Sequence, residues 1–172
     1  MKTLIKNGLL IDPANQVQAY LNLILEDGKV VAVTEEEPEA DRVIDATGKV
    51  VAPGFIDIHM HEDPVKDGKI EFCIFDAMLR MGVTTAVGGN CGINVYDPVK
   101  YLDMVEKDGA PVNVMLFAGH QYFREAAGAL DKYAPVTKEQ QEHMKKGLEK
   151  ALEAGCVGIS YGLRYVPGTG RD

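Results

Sequence analysis

Four places in the chain hold residue types that do chemistry. The first is the run Pro53-Gly54-Phe55-Ile56-Asp57-Ile58-His59-Met60-His61-Glu62-Asp63, where an apolar stretch leads into two histidines one residue apart. In a β-strand, residues i and i+2 point to the same side, so a strand over 54–60 projects His59 and His61 together from its C-terminal end. Two imidazoles placed in this way can share one metal ion, and imidazole suits zinc and other late first-row metals. Asp57 falls on the same side one step deeper, where a carboxylate can orient a ligand from behind. The alternative is a His-x-His pair that stands at a strand end by chance.

The second place is Gly88-Gly89-Asn90-Cys91-Gly92. Glycines on both sides of Cys91 let the backbone turn sharply and approach a ligand closely. A thiolate is a good zinc ligand. The competing reading is a buried cysteine that packs as a small hydrophobe. The third place is Gly119-His120 with Arg124. His120 is a candidate ligand, proton donor or oxyanion contact, and Arg124 is a candidate partner for a carboxylate. Both can equally serve to fix a loop. The fourth is the segment holding Tyr161, Arg164 and Tyr165, which either meets a substrate or packs a loop. His143 reads as a solvated helix residue, and Cys73 and Cys156 read as packing residues.

These groups need elements to hold them. Residues 2–52 read as a small antiparallel β-sheet, with a hairpin across Asp27-Gly28 and a second candidate hairpin across Thr47-Gly48. After residue 53 strands and helices alternate. Phe72, Phe75, Met78 and Leu79 recur at helical spacing, with Gly82 placed to end that helix. Thr84 to Gly88 reads as a strand. Asp97-Pro98 offers an N-cap and a first-turn proline for a helix that Gly109 ends. Val112 to Ala118 is a continuous apolar run, as in a strand buried on both faces. Residues 119–136 read as a long connection. Thr137 and Gln140 fit a capping box for a third helix, and Val157 to Tyr161 is a fourth strand. The alternation implies parallel βαβ units. Residues 166–172 read as the start of a loop. A complete (β/α)8 barrel takes about 250 residues, so the chain supplies about half of one, or else forms a small open α/β sheet.

Composition narrows the classes. Of 172 residues, 26 are acidic and 18 basic, giving a net charge of −8 with no basic cluster, which argues against a nucleic-acid partner. No stretch is apolar for the length of a membrane span, and no signal peptide is legible. Three unpaired cysteines fit a reducing, cytoplasmic setting better than a disulfide framework.

The motifs at 53–61, 82–92 (Gly-Val-Thr-Thr-Ala-Val-Gly-Gly-Asn-Cys-Gly), 119–124 (Gly-His-Gln-Tyr-Phe-Arg) and 158–168 together resemble the amidohydrolase superfamily, and within it the D-aminoacylase (N-acyl-D-amino-acid deacylase) family. The resemblance implies an α/β fold: the N-terminal part of a TIM-like (β/α)8 barrel, with strands 1–4 in residues 53–172, preceded by a small β domain in residues 1–52. It implies that His59 and His61 bind zinc, and that Cys91 is the ligand replacing the bridging lysine of most superfamily members. Tyr165 is similar to a family tyrosine near the substrate carboxylate; His120 and Arg124 match the Gly-His…Arg pattern and join it as candidate substrate contacts. The implied activity is hydrolysis of N-acyl-D-amino acids by a zinc-activated water. The catalytic aspartate and further metal-binding histidines of the family are expected in later strands, outside this sequence. Glu62-Asp63 stands where many members have Asp-Asp. Two alternatives accompany this expectation. One is an inactive fragment or subunit that needs a second chain to complete the barrel. The other is a cyclic-amide hydrolase or deaminase of the same superfamily.

Overall fold

Alternating apolar residues and left-handed turns make the first part of the chain a β structure. The computed structural model describes residues 1–131 and 133–165, and the chain divides into two units, Met1–Pro53 and Gly54–Asp172. The loop expected over 166–172 lies outside the described residues. The first unit holds β1 (Lys2–Lys6), β2 (Leu9–Asp12), β3 (Val17–Tyr20), β4 (Asn22–Glu26), β5 (Lys29–Thr34), β6 (Arg42–Asp45) and β7 (Val50–Val51). They form two sheets, in the orders β5-β4-β1-β6 and β3-β2-β7. The Asp27-Gly28 hairpin is present: β4 and β5 are antiparallel, and φ is 49° at Asp27 and 76° at Gly28, the left-handed pair a tight hairpin needs.

The second expected hairpin is not formed. β6 pairs with β1 and β7 with β2, both in parallel. The turn between them carries the chain from one sheet to the other, with Ala46 N donating to Lys6 O and Lys49 N donating to Ala46 O. Thr47-Gly48 is thus a corner, and the unit is two mixed sheets rather than one antiparallel sheet. Turn residues mark a change of direction but do not say which strand the chain meets next.

In the second unit, β8 (Phe55–Asp57) is followed by a hairpin of β9 (Val65–Lys66) and β10 (Lys69–Ile70), then α1 (Ile74–Arg80) and β11 (Val83–Gly88). Next come α2 (Pro98–Asp108), β12 (Asn113–Leu116), β13 (Ala118–Gly119), α3 (His120–Ala126), α4 (Lys138–Glu153) and β14 (Ile159–Ser160). β11 lies between β8 and β12, parallel to both, and β13 is parallel to β14. Only Phe117 separates β12 from β13, and its amide donates to Gly88 O. The parallel strands therefore stand side by side in chain order.

The sequence signals for α2 and α4 are realised. The Asp97 carboxylate accepts from Lys100 N, and Thr137 and Gln140 form the reciprocal capping box. Three expectations change, and one hairpin is added. Residues 119–136 contain α3, a helix of two turns whose aromatic residues, Tyr122 and Phe123, are adjacent, so no 3.6-residue period betrays it. The hairpin at Asp67-Gly68 repeats the Asp27-Gly28 signal, with φ of 50° and 73°. Cys73 is exposed at the N-cap of α1 rather than packed in the helix. The 112–118 strand is buried on one face only: Leu116 is fully buried, whereas Met115 is 40% exposed.

The core lies where the helices cover the sheet. Phe75 and Met78 from α1, Tyr101 from α2 and Ala151 from α4 pack with Ala86 and Leu116 from the strands. Among the described residues, no helix is long and apolar enough to cross a membrane.

Candidate metal centre

β8 stops at Asp57, shorter than the strand expected over 54–60. The reason is local: the Asp57 carboxylate accepts from the His59 amide at 3.0 Å, which turns the backbone out of the ladder. Asp57 thus positions His59 through its main chain rather than through its ring. His59 and His61 are exposed just beyond the strand end, with ring centroids 6.3 Å apart and ring planes at 75°.

Cys91 reaches them from the end of β11. Its turn holds three left-handed residues, Gly89 (φ 73°), Cys91 (φ 59°) and Gly92 (φ 76°). For Gly this conformation is free, but for a side-chain-bearing residue it costs about 1–2 kcal/mol. The turn brings Cys91 Sγ to 3.3 Å from His59 Nε2. One ligand atom each from His59, His61 and Cys91 lie within 4.8 Å of one another. Tetrahedral zinc with Zn–N near 2.0 Å and Zn–S near 2.3 Å sets its donors about 3.3–3.8 Å apart. The His59–Cys91 pair already has that spacing, and the His61 donor lies within 4.8 Å of both. Two imidazoles and a thiol are also a donor set zinc favours.

Buried polar groups fasten these strand ends. Asn90 Nδ2 donates to Val87 O at 2.7 Å and Met60 O at 3.4 Å. Asn94 Nδ2 donates to Glu62 Oε1 at 2.7 Å and Phe117 O at 3.0 Å, while its Oδ1 accepts from Gly119 N at 2.7 Å. One side chain thereby joins the segments that follow β8, β11 and β12. Burial pushes the Glu62 carboxyl above its usual range, against the bond from Asn94. Asp63 is fully buried, and its carboxylate accepts from the amides of Cys73, Ile74 and Phe75 at 3.1, 2.7 and 2.9 Å. It caps α1 from ten residues upstream, too far for any local capping signature. Sequence reasoning gave Asp63, Asn94 and Ser160 no role, because their partners are remote in the chain.

The remaining candidates lie apart from the three donors in role. His120 opens α3, half-buried, with its ring centroid 5.2 Å from that of Tyr161. Its Nδ1 is buried without a hydrogen-bond partner. Burial, and secondarily the Arg124 charge, lowers its pKa below the ordinary 6.5. His120 lines an apolar cavity of about 220 Å³ with Phe123, Met144, Leu148, Ile159 and Tyr161. Arg124 is buried, and its Nη2 donates to the Asp131 carbonyl at 3.4 Å rather than to a carboxylate. Tyr165 is 49% exposed, its amide bonded to Gly162 O. His143 is exposed on α4.

A family model described as an amidohydrolase family matches residues 42–162. The N-acyl-D-glutamate deacylase of Alcaligenes xylosoxydans xylosoxydans is 32% identical over 95% of the chain and 38% of its own length. The D-aminoacylase of the same organism is 30% identical over 95% of the chain and 38% of its own length. The crystal structure of the N-acyl-D-glutamate deacylase from Bordetella bronchiseptica, complexed with zinc and a phosphonate mimic of the tetrahedral intermediate, superposes with a TM-score of 0.82. It is 31% identical, over 99% of this chain and 40% of that one. The chain thus spans about two fifths of the length of the relatives it matches.

Proposed function

The chain belongs to the amidohydrolase family, and we propose that it carries the metal-binding end of a zinc-dependent hydrolase that deacylates N-acyl-D-amino acids. The observation that supports this best is the convergence of His59, His61 and Cys91. In this reading β8, β11, β12–β13 and β14 are the first four strands of a TIM-like (β/α)8 barrel, with a small β domain in residues 1–52. Catalytic groups of such barrels sit at the C-terminal ends of strands. His59, His61 and Cys91 all follow such ends.

His59, His61 and Cys91 would hold the zinc through two imidazole nitrogens and one sulfur. What zinc supplies in such a site is Lewis acidity: a nucleophilic water at neutral pH and a polarised amide carbonyl. Asp57 fixes the His59 backbone, and Asn90 and Asn94 hold the strand ends from which the donors project. Tyr165, His120 and Arg124 are the candidate contacts for the substrate's carboxylate and acyl group. Proton transfer to the leaving amine falls to an aspartate supplied from further sequence.

Zinc analysis of the dialysed chain tests the reading. Wild type should retain zinc, and His59→Ala and Cys91→Ala should each lose it. Equal retention in all three sinks the metal site. For the complete enzyme, release of amine from N-acetyl-D-amino acids but not their L-isomers is the expected activity. A second reading is favoured by Phe55, Ile56 and Ile58, apolar yet 65, 64 and 70% exposed on and beside the edge strand β8. In it, a separate polypeptide pairs with that edge. Native mass spectrometry showing only the single chain would remove this reading.

A further inference from the structure

The Cys91 turn is locally unfavourable and locally underdetermined. Cys91 bears a side chain at φ 59°, with left-handed Gly92 next to it and left-handed Gly89 two residues before it, and glycines do little to define a backbone. Asn90 fastens the entry to the turn by its bonds to Val87 O and Met60 O. The exit is fastened from elsewhere. Gly92 N donates to Ser160 Oγ at 2.9 Å, and the same hydroxyl donates to Gly89 O in a short bond. A single side chain on β14 therefore holds both flanks of Cys91, from 68 and 71 residues away. Two residues further on, a Cβ at Gly162 would collide with the Cys91 carbonyl. A Cβ at Gly92 would meet Gly162 N at 2.7 Å. The two segments interlock backbone against backbone, with no room for a side chain between them.

We infer that the tip of β14, Ser160 by its hydroxyl and Gly162 by its missing side chain, is the template that positions the Cys91 thiol for the metal. Ser160 is a positioning residue: it touches the turn and acts only through Cys91. This rests on the metal reading proposed above. Without the Ser160 hydroxyl, Gly92 N and Gly89 O lose a shared partner, and the strained turn can relax and carry Sγ away from His59.

Cobalt(II) titration of the 172-residue chain tests this without any activity assay. Thiolate-to-cobalt charge transfer in the near ultraviolet reports the Cys91 bond, whereas the weaker visible bands report cobalt on any ligands. Wild type should show the charge-transfer band and Cys91→Ala should lack it. If wild type lacks the band, or Cys91→Ala keeps it, the metal reading itself fails. With that established, Ser160→Ala should need about tenfold more cobalt for the same charge-transfer band, in the range typical of outer-shell partners. Ser160→Thr, which keeps the hydroxyl, should restore it. A wild-type titration by folded Ser160→Ala overturns the inference. If circular dichroism shows Ser160→Ala unfolded, Gly162→Ala carries the test, because it keeps the hydroxyl and its Cβ presses on the Cys91 carbonyl and, beside it, the Tyr165 ring. An unaltered band in Gly162→Ala then overturns the inference.

Discussion

Two cysteines near two strand ends show how position decides the chemistry of one side chain. Cys91 sits in a left-handed turn with its sulfur 3.3 Å from an imidazole nitrogen. Cys73 sits at the start of α1 with its sulfur 2.9 Å from the Asp63 carboxylate. The imidazole is a second donor with which a thiolate can share a cation. The carboxylate accepts the thiol proton and repels a thiolate, so the Cys73 pKa is raised above the ordinary 9.0, chiefly by that hydrogen bond. Exposure does not separate them in the expected direction: Cys73 is the more exposed of the two. The partner sets the role. The Cys91 turn carries a side chain at positive φ, whereas the Asp63 carboxylate satisfies helix amides.

Breaking each side of this contrast should give opposite results. Cys91→Gly should lower zinc affinity by more than about 100-fold, beyond the loss of an outer-shell partner. In the metal-free chain the same change should raise stability by about 1 kcal/mol in urea titrations, because glycine takes φ 59° without strain. A destabilised metal-free variant would show that the turn is not strained. Asp63→Ala should cost about 2 kcal/mol of stability, because it strips an acceptor from three amides at the start of α1. Its zinc affinity should stay within about threefold of wild type; a loss as large as that of Cys91→Gly would merge the two regions into one site.

Smaller effects sharpen the contrast. Alkylation of Cys73, followed at the peptide level, should show a midpoint above pH 9.0, and Asp63→Asn should lower that midpoint and speed labelling severalfold at pH 8. An unchanged midpoint would detach Cys73 from the carboxylate. The smallest effect concerns His120. Its folded pKa lies below 6.5, so as pH falls the unfolded chain takes up the proton first. The stability from this residue is complete above pH 6.5 and is lost as pH falls through the window below it. Urea midpoints compared at pH 7.5 and 5.5 should therefore drop less in His120→Gln than in wild type. Equal drops would place the His120 ring in water.

The sequence by itself determined what depends on neighbours along the chain. The period of apolar residues placed α1, α2 and α4, and the caps at Asp97 and Thr137 started two of them where local hydrogen bonds form. The Asp27-Gly28 hairpin followed from two residues able to take positive φ. Cys91 in its glycine-rich turn, and His59 and His61 at alternate positions, are legible as candidate donors from type and spacing. Tertiary structure alone decided what depends on partners distant in sequence. Thr47-Gly48 became a corner between sheets because β6 and β7 found β1 and β2, not each other. Asp63 became a cap, and Asn94 and Ser160 became fasteners, through bonds spanning 10 to 71 residues. Donor types are written one residue at a time, but the few ångströms that separate three donors are set by the strand ends packed around them.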